Sequence, residues 1–185
     1  KLAIRRHNRV LLFEGFLDVI SAVEAGFVES VATMGTALTD DHSRELRRLT
    51  DQIILCFDGD KAGLAAANKA IPILMAHNFS ISVIEIPNKM DPDEFIKTYG
   101  KEAFAELIDQ AIPAIDYQYR YIKRQFNLEF VSHREQFKRQ IYHFAYTLNS
   151  HTLQELILKK LAQDISIGEQ SILQEVLNNP EMSDE

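Results

Sequence analysis

Three apolar runs, RVLLF (9–13), IILCF (53–57) and ISVIEIP (81–87), are each followed by a pair of acids: Glu14 with Asp18, Asp58 with Asp60, and Asp91 with Asp93. A short apolar run bounded by turn-forming residues reads as a buried strand. Such strands, alternating with helical patterns, read as βαβ units on a mostly parallel sheet. In an open parallel sheet the carboxyl ends of the strands share one edge, and ligands bind there. The pattern therefore sends six carboxyl groups to one edge. Crowded carboxylates repel and cannot all stay ionised without cations. Ligands made only of oxygen favour hard divalent ions, so two or more Mg2+ or Mn2+ ions and phosphate chemistry are the first expectation.

Strands are expected near 9–14, 28–33, 53–58 and 80–86, giving an α/β fold on a four-stranded, mostly parallel sheet flanked by helices. LDVISAVEAG carries apolar residues at helical spacing and stops at Gly26, a C-terminal cap. Thr39, Asp40 and Asp41 start a second helix, with acids in its first turn and arginines in its last, as the macrodipole favours. A third helix runs from Lys61 through LAAANKAIPILMAHN, and Pro72 inside it is expected to kink or divide it. After Asp93 every periodic segment reads as helix, beginning with DEFIKTYG, capped by Asp93 and closed by Gly100. Three regions result: an α/β domain over 1–98, an all-α helical bundle over 99–178, and a disordered tail at 179–185.

The 185 residues suffice for a sizeable core. No apolar stretch approaches the roughly 20 residues of a spanning helix, so no membrane association is expected. No cleavable apolar leader follows the basic stub KLAIRRHNR, and a chain that opens without Met reads as an excised segment of a longer protein. The single Cys56 leaves no internal disulfide framework and no multi-cysteine zinc site, so zinc is not expected here. Cys56 itself, inside IILCF, reads as a small buried hydrophobe. The six His residues show no metal-ligand spacing. A net charge of −7 argues against a free-standing nucleic-acid binder held by phosphate contacts alone.

Each acidic cluster has a chemical and a structural reading. Gly15 follows Glu14 and lets another backbone or a phosphate approach closely, while Asp18, one helical turn on, can point back toward Glu14. Asp18 is equally a first-turn acid favoured by the helix dipole. In FDGD two carboxylates can bridge divalent ions, and Lys61 and Gly63 open a helix whose amino end favours phosphate. The same four residues also make an Asp-Gly turn and a helix cap. In KMDPDEF, Pro92 fixes the backbone between two acids that can serve as metal ligands or start a helix. MGTAL, at 34–38, adds a glycine turn on the same edge, where Thr36 reads as ending the strand rather than meeting a phosphate.

FEGFLDVI, TMGTALTDDH, CFDGDKAG and DPDEF, in this order and with these gaps, resemble the TOPRIM domain. That fold is shared by bacterial primases, topoisomerases of types IA and II, recombination mediators and some nucleases. Within it the motifs look most similar to bacterial DNA primases of the DnaG type, strongly over residues 9–104, and the helical remainder is similar to the bundle closing their RNA polymerase domain. The resemblance implies a nucleotidyltransferase that makes short RNA primers on single-stranded DNA from ribonucleoside triphosphates, by two-metal phosphoryl transfer. It implies Glu14, Asp58 and Asp60 as catalytic metal ligands. Asp18, Asp91 and Asp93 would be further metal or triphosphate contacts, with Gly15, Lys61 and Gly63 near phosphate. It further implies docking on the replicative helicase through a region not seen in this chain. A TOPRIM nuclease or topoisomerase domain, an aspartyl phosphatase and a non-catalytic metal-binding assembly module remain alternatives. YQYRYIKRQF (117–126) mixes aromatic and basic residues as strand-binding surfaces do, and reads first as an amphipathic helix with its aromatics inward.

Overall fold

The computed structural model describes residues 1–33 and 38–178. The glycine turn with Thr36 and the expected disordered tail at 179–185 lie outside the described residues. The chain divides into two compact units, Lys1–Tyr117 and Gln118–Glu185.

Five strands form the first unit's sheet: β1 (Val10–Phe13), β2 (Ser30–Ala32), β3 (Gln52–Leu55), β4 (Ser80–Val83) and β5 (Ile112–Pro113), in the order β2-β1-β3-β4-β5. The first four are parallel, and β5 runs antiparallel to β4, pairing Ile112 with Val83. Four strands were expected. The fifth is two residues long and shows no period-2 pattern, so only its pairing reveals it. It carries the unit past residue 98 to Tyr117, whose buried side chain donates to the Leu64 carbonyl at 3.2 Å.

All four residues of β1 are buried, as a strand covered on both faces requires. Val10 and Leu12 face a layer that includes Ile53, Leu55, Ile81 and Val83, packed on helix α4 (Lys61–Ala76) through Ala67, Ile71 and Leu74. Leu11 and Phe13 face the opposite layer, with Cys56 and Ile84, against helices α2 (Phe16–Glu24) and α5 (Pro92–Asp109). Phe104 centres that layer, with ring centroids 6.3 Å from Phe13, 5.2 Å from Phe27 and 6.3 Å from Phe95. Cys56 is fully buried there, and burial pushes its thiol well up, as an inert core sulfur requires.

The caps follow the sequence with two departures. Gly26 leaves α2 at φ 101°, and Thr39 caps α3 (Asp40–Arg47) by accepting from His42 N–H. Gly100, at φ 85° and ψ 177°, interrupts helical geometry inside α5. Pro72, however, does not divide α4. The neighbouring Ile71 and Leu74 are fully buried and anchor both halves of the helix to the sheet. At the start of α5 the cap is Asp91, not Asp93: its Oδ1 accepts from Glu94 N–H at 2.7 Å. Pro92, with its fixed φ and missing N–H, suits the first helical position, so the helix begins before Asp93. The basic stub also holds a short helix, α1 (Leu2–His7), that buries Ile4.

The second unit is helical: the end of α6 (Ala114–Lys123), then α7 (Val131–Thr147), α8 (His151–Ile165) and α9 (Glu169–Asn178). Its core includes Tyr119, Phe137, Ile141, Leu161 and Ile165. Tyr119 and Lys123 both donate to Asp164 at 2.7 Å, joining α6 to α8. Lys138 lies between Glu135 and Glu175 at 3.1 and 2.9 Å, joining α7 to α9. In α6 the aromatic Tyr119 is buried while Arg120 stays exposed, the amphipathic arrangement expected of that stretch.

Candidate functional site

The parallel sheet delivers the ends of β1, β3 and β4 to one edge, and hydrogen bonds tie the acidic segments to one another there. Glu14, directly after β1, accepts the Asp58 N–H on Oε1 at 3.3 Å, joining the first and second segments. Asp18 is only 7% exposed, and its two oxygens accept from Gly15 N–H and Asp93 N–H, each at 3.2 Å. It thereby closes the turn into α2 and joins that turn to the start of α5. Gly59 N–H donates to the Met90 carbonyl at 2.8 Å, joining the second and third segments. A Cβ on Gly59 would lie 2.2 Å from the Ile86 carbonyl oxygen, so only glycine lets these two loops touch.

Asp60 caps α4 by accepting from Gly63 N–H at 2.8 Å, and Lys61 is exposed in the first turn. A Cβ on Gly63 would lie 2.3 Å from the Asp58 carbonyl oxygen, so this glycine lets the Asp58 loop fold onto the helix. Asp93 behaves differently from the others. Its oxygens accept from Ser21 Oγ and, at 2.7 Å, from Lys97 Nζ. Sequence reasoning missed both partners. Lys97 was legible as an i,i+4 partner of Asp93, whereas Ser21 is 72 residues away and only the packing of α2 on α5 brings it near.

The electrostatics separate the six acids. Burial, then repulsion from Glu14, Asp18, Asp91 and Asp60, pushes the Asp58 carboxyl up to about 6, and no described residue donates a hydrogen bond to it. Glu14 is raised first by burial and then by Asp60 and Asp18, against the lowering effect of the Asp58 N–H. Asp18 is raised by burial and by Asp91 and Asp93, against the two N–H groups it accepts from. Asp93 is held below the usual carboxylate range by Lys97 and Ser21. Glu14, Asp18 and Asp58 are thus raised by burial and by their acidic neighbours, while Asp93 is paired with Lys97.

Among the described residues no three of these carboxylates, nor any His or Cys with them, are already drawn into one metal-binding group. Unneutralised like charges do not draw together unaided, and backbone N–H groups hold Asp18, Asp60 and Asp91 in capping positions. Asp91→Ala isolates the capping role: it should cost about 1 kcal/mol in denaturant unfolding without metal.

Residues 11–96 match the Toprim-like family. The α/β unit belongs to that family. The chain is 36% identical over 186 residues to a DNA primase of Listeria monocytogenes, covering 98% of this chain and 30% of the relative. It is 38% identical over 168 residues to that of Geobacillus stearothermophilus (91% and 28%), and 42% identical over 130 residues to that of Enterococcus faecalis (68% and 21%). It therefore spans less than a third of the length of these primases. Among solved structures, the catalytic core of the Escherichia coli primase is 28% identical with a TM-score of 0.72, over 90% of this chain and 55% of that one. A DnaG primase catalytic domain bound to single-stranded DNA is 27% identical with a TM-score of 0.74, over 91% and 56%. The Toprim-like match ends at residue 96, whereas the sheet of this unit continues to β5 at Ile112–Pro113.

Proposed function

We propose that this chain is the metal-binding catalytic segment of a DNA primase. In that role it joins ribonucleotides into short RNA primers on a single-stranded DNA template, within a longer cytoplasmic protein that meets the replicative helicase through other regions. The observation that carries the reading is Asp58: a half-buried carboxyl, raised to about 6, accepting no described hydrogen bond and ringed by four other acids on the carboxyl edge of the sheet. That environment fits a hard divalent cation, because the donors are carboxylate oxygens and their repulsion is relieved by positive charge.

Glu14, Asp58 and Asp60 would hold Mg2+ or Mn2+, with Asp18 and Asp91 completing the acidic field. Bound there, divalent ions supply activation of the attacking hydroxyl and neutralise charge on the transferring phosphate. Asp18 fixes the Gly15 turn and so the direction from which Glu14 enters the site. Lys61, exposed in the first turn of α4, would meet a triphosphate oxygen. Gly15 and Gly63 have their N–H groups engaged by Asp18 and Asp60, so their part is close backbone approach rather than donation. Asp93, paired with Lys97, supports the start of α5 and would reach a metal or triphosphate only after giving up that partner. Among the described residues no helix is long and apolar enough to cross a membrane.

The test is template-directed primer synthesis by the Geobacillus stearothermophilus primase with this chain in place of its aligned segment. Synthesis should persist in that chimera and fall about 100-fold or more with Glu14→Gln. A folded chimera whose synthesis is undiminished by both Glu14→Gln and Asp58→Asn would overturn the reading. Calorimetric Mn2+ titration of the chain alone serves independently of the chimera, and absence of binding at millimolar metal would contradict it.

A further inference from the structure

The third acidic segment is tied to α2 by a side chain outside the acidic clusters. Ser21 is buried on α2, 72 residues from Asp93 in sequence, and its hydroxyl donates to Asp93 Oδ1. The other carboxylate oxygen, Oδ2, accepts from Lys97 Nζ at 2.7 Å, and the Asp93 N–H donates to Asp18 Oδ1 at 3.2 Å. Asp93 is thus held at three points, by two partners on α2 and one on its own helix.

The two partners of its carboxylate differ in how readily they leave. Ser21 is 7% exposed, on a short side chain of a packed helix, so its hydroxyl stays where α2 stays. The Lys97 side chain is 68% exposed on a flexible four-carbon stem, and an exposed i,i+4 pair is worth little against water. An ionised carboxylate offers about four acceptor positions, so Oδ2 is freed when Lys97 swings away while Ser21 keeps Oδ1 in place. Carboxylates that ligate metals are themselves aimed by such hydrogen bonds, and losing the donor costs about 10- to 100-fold in metal affinity. An ammonium on the same carboxylate acts oppositely, as a tethered cation that a divalent ion must displace.

We propose that Ser21 and Lys97 are positioning residues of opposite sign for metal at the acidic edge: Ser21 aims Asp93 at an incoming divalent ion, and Lys97 holds that ion's place until it binds. This rests on the metal-binding reading above and adds the two residues that decide when Asp93 joins the site.

Calorimetric Mn2+ titration of the whole chain at pH 7.5 compares the parent with Ser21→Ala, Lys97→Gln, Lys97→Arg and Lys101→Gln. Ser21→Ala should weaken binding about tenfold. Lys97→Gln should tighten it about two- to fivefold, and Lys97→Arg should keep the parental affinity. Lys101→Gln removes the same charge four residues further on and should change affinity less than Lys97→Gln does. Melting curves in EDTA check that each variant is folded. Acetylation of the parent by acetic anhydride, read by mass spectrometry, is the second measurement: Lys97 should label faster in saturating Mg2+ than in EDTA, with Lys101 unchanged. Failure of the parent to bind Mn2+ contradicts the metal-binding reading itself. Where the parent binds, the roles of Ser21 and Lys97 are overturned if folded Ser21→Ala and Lys97→Gln shift affinity in the same direction or not at all, or if Lys97 labels equally with and without Mg2+.

Discussion

Asp58→Asn should melt higher than the parent chain in EDTA at pH 7.5, and lower than the parent once Mg2+ or Mn2+ saturates the site. The sign follows from the direction of the shift. Folding raises the Asp58 carboxyl from 3.8 to about 6, so the folded chain holds that proton more tightly than the unfolded one. The associated stability is fully present below about pH 3.8 and is lost as pH rises through about 6. By pH 7.5 the ionised Asp58 burdens the metal-free fold by about 1–2 kcal/mol after allowing for partial solvent screening, and the neutral amide removes that burden. A few degrees in melting temperature follow, at about 2–4 °C per kcal/mol for a chain of this size.

Metal reverses the order. A cation that binds only the folded chain at about 100 times its dissociation constant contributes about 2.7 kcal/mol, which Asp58→Asn should largely forfeit. Melting curves at pH 4 and 7.5, with and without metal, contain the whole prediction. A variant that melts below the parent under all four conditions would show Asp58 to be a structural hydrogen-bonding group instead.

Gly63→Ala should destabilise the metal-free chain by about 2–3 kcal/mol, although alanine is favoured over glycine inside a helix by about 1 kcal/mol. The clash outweighs the propensity because the new Cβ would meet the Asp58 carbonyl oxygen at 2.3 Å and the Asp58 Cβ at 2.7 Å. Backbone must move to relieve it, and the backbone that moves carries Asp58. Metal affinity should therefore fall at least about tenfold with the stability, as a displaced carboxylate costs more than one missing contact. Gly168→Ala is the control, since its Cβ would meet only Ser171 Oγ, at 3.8 Å. Denaturant unfolding and Mn2+ titration of the two variants give the comparison, and equal stability would refute the steric argument.

The order of apolar runs was enough to place the first four strands, most plainly β1, whose four residues are all buried as a strand covered on both faces requires. It was enough, too, for the edge on which Glu14, Asp58 and Asp91 emerge, since parallel strands share their carboxyl ends. The cap of α5 was misplaced by two residues, because Asp91 and Asp93 are chemically alike and the proline between them decides which lies outside the helix. β5 was invisible because two residues carry no periodicity.

What sequence alone determined was the inventory of acids, their edge and the family their spacing resembles. Tertiary structure decided how unequal those acids are. Burial and long-range repulsion leave Asp58 raised, with no donor to it among the described residues, while Ser21 and Lys97 quiet Asp93, and both outcomes depend on which elements pack together. The chain's own order specifies which charges exist, but a carboxyl's proton affinity is set by the solvent it loses and the neighbours it gains.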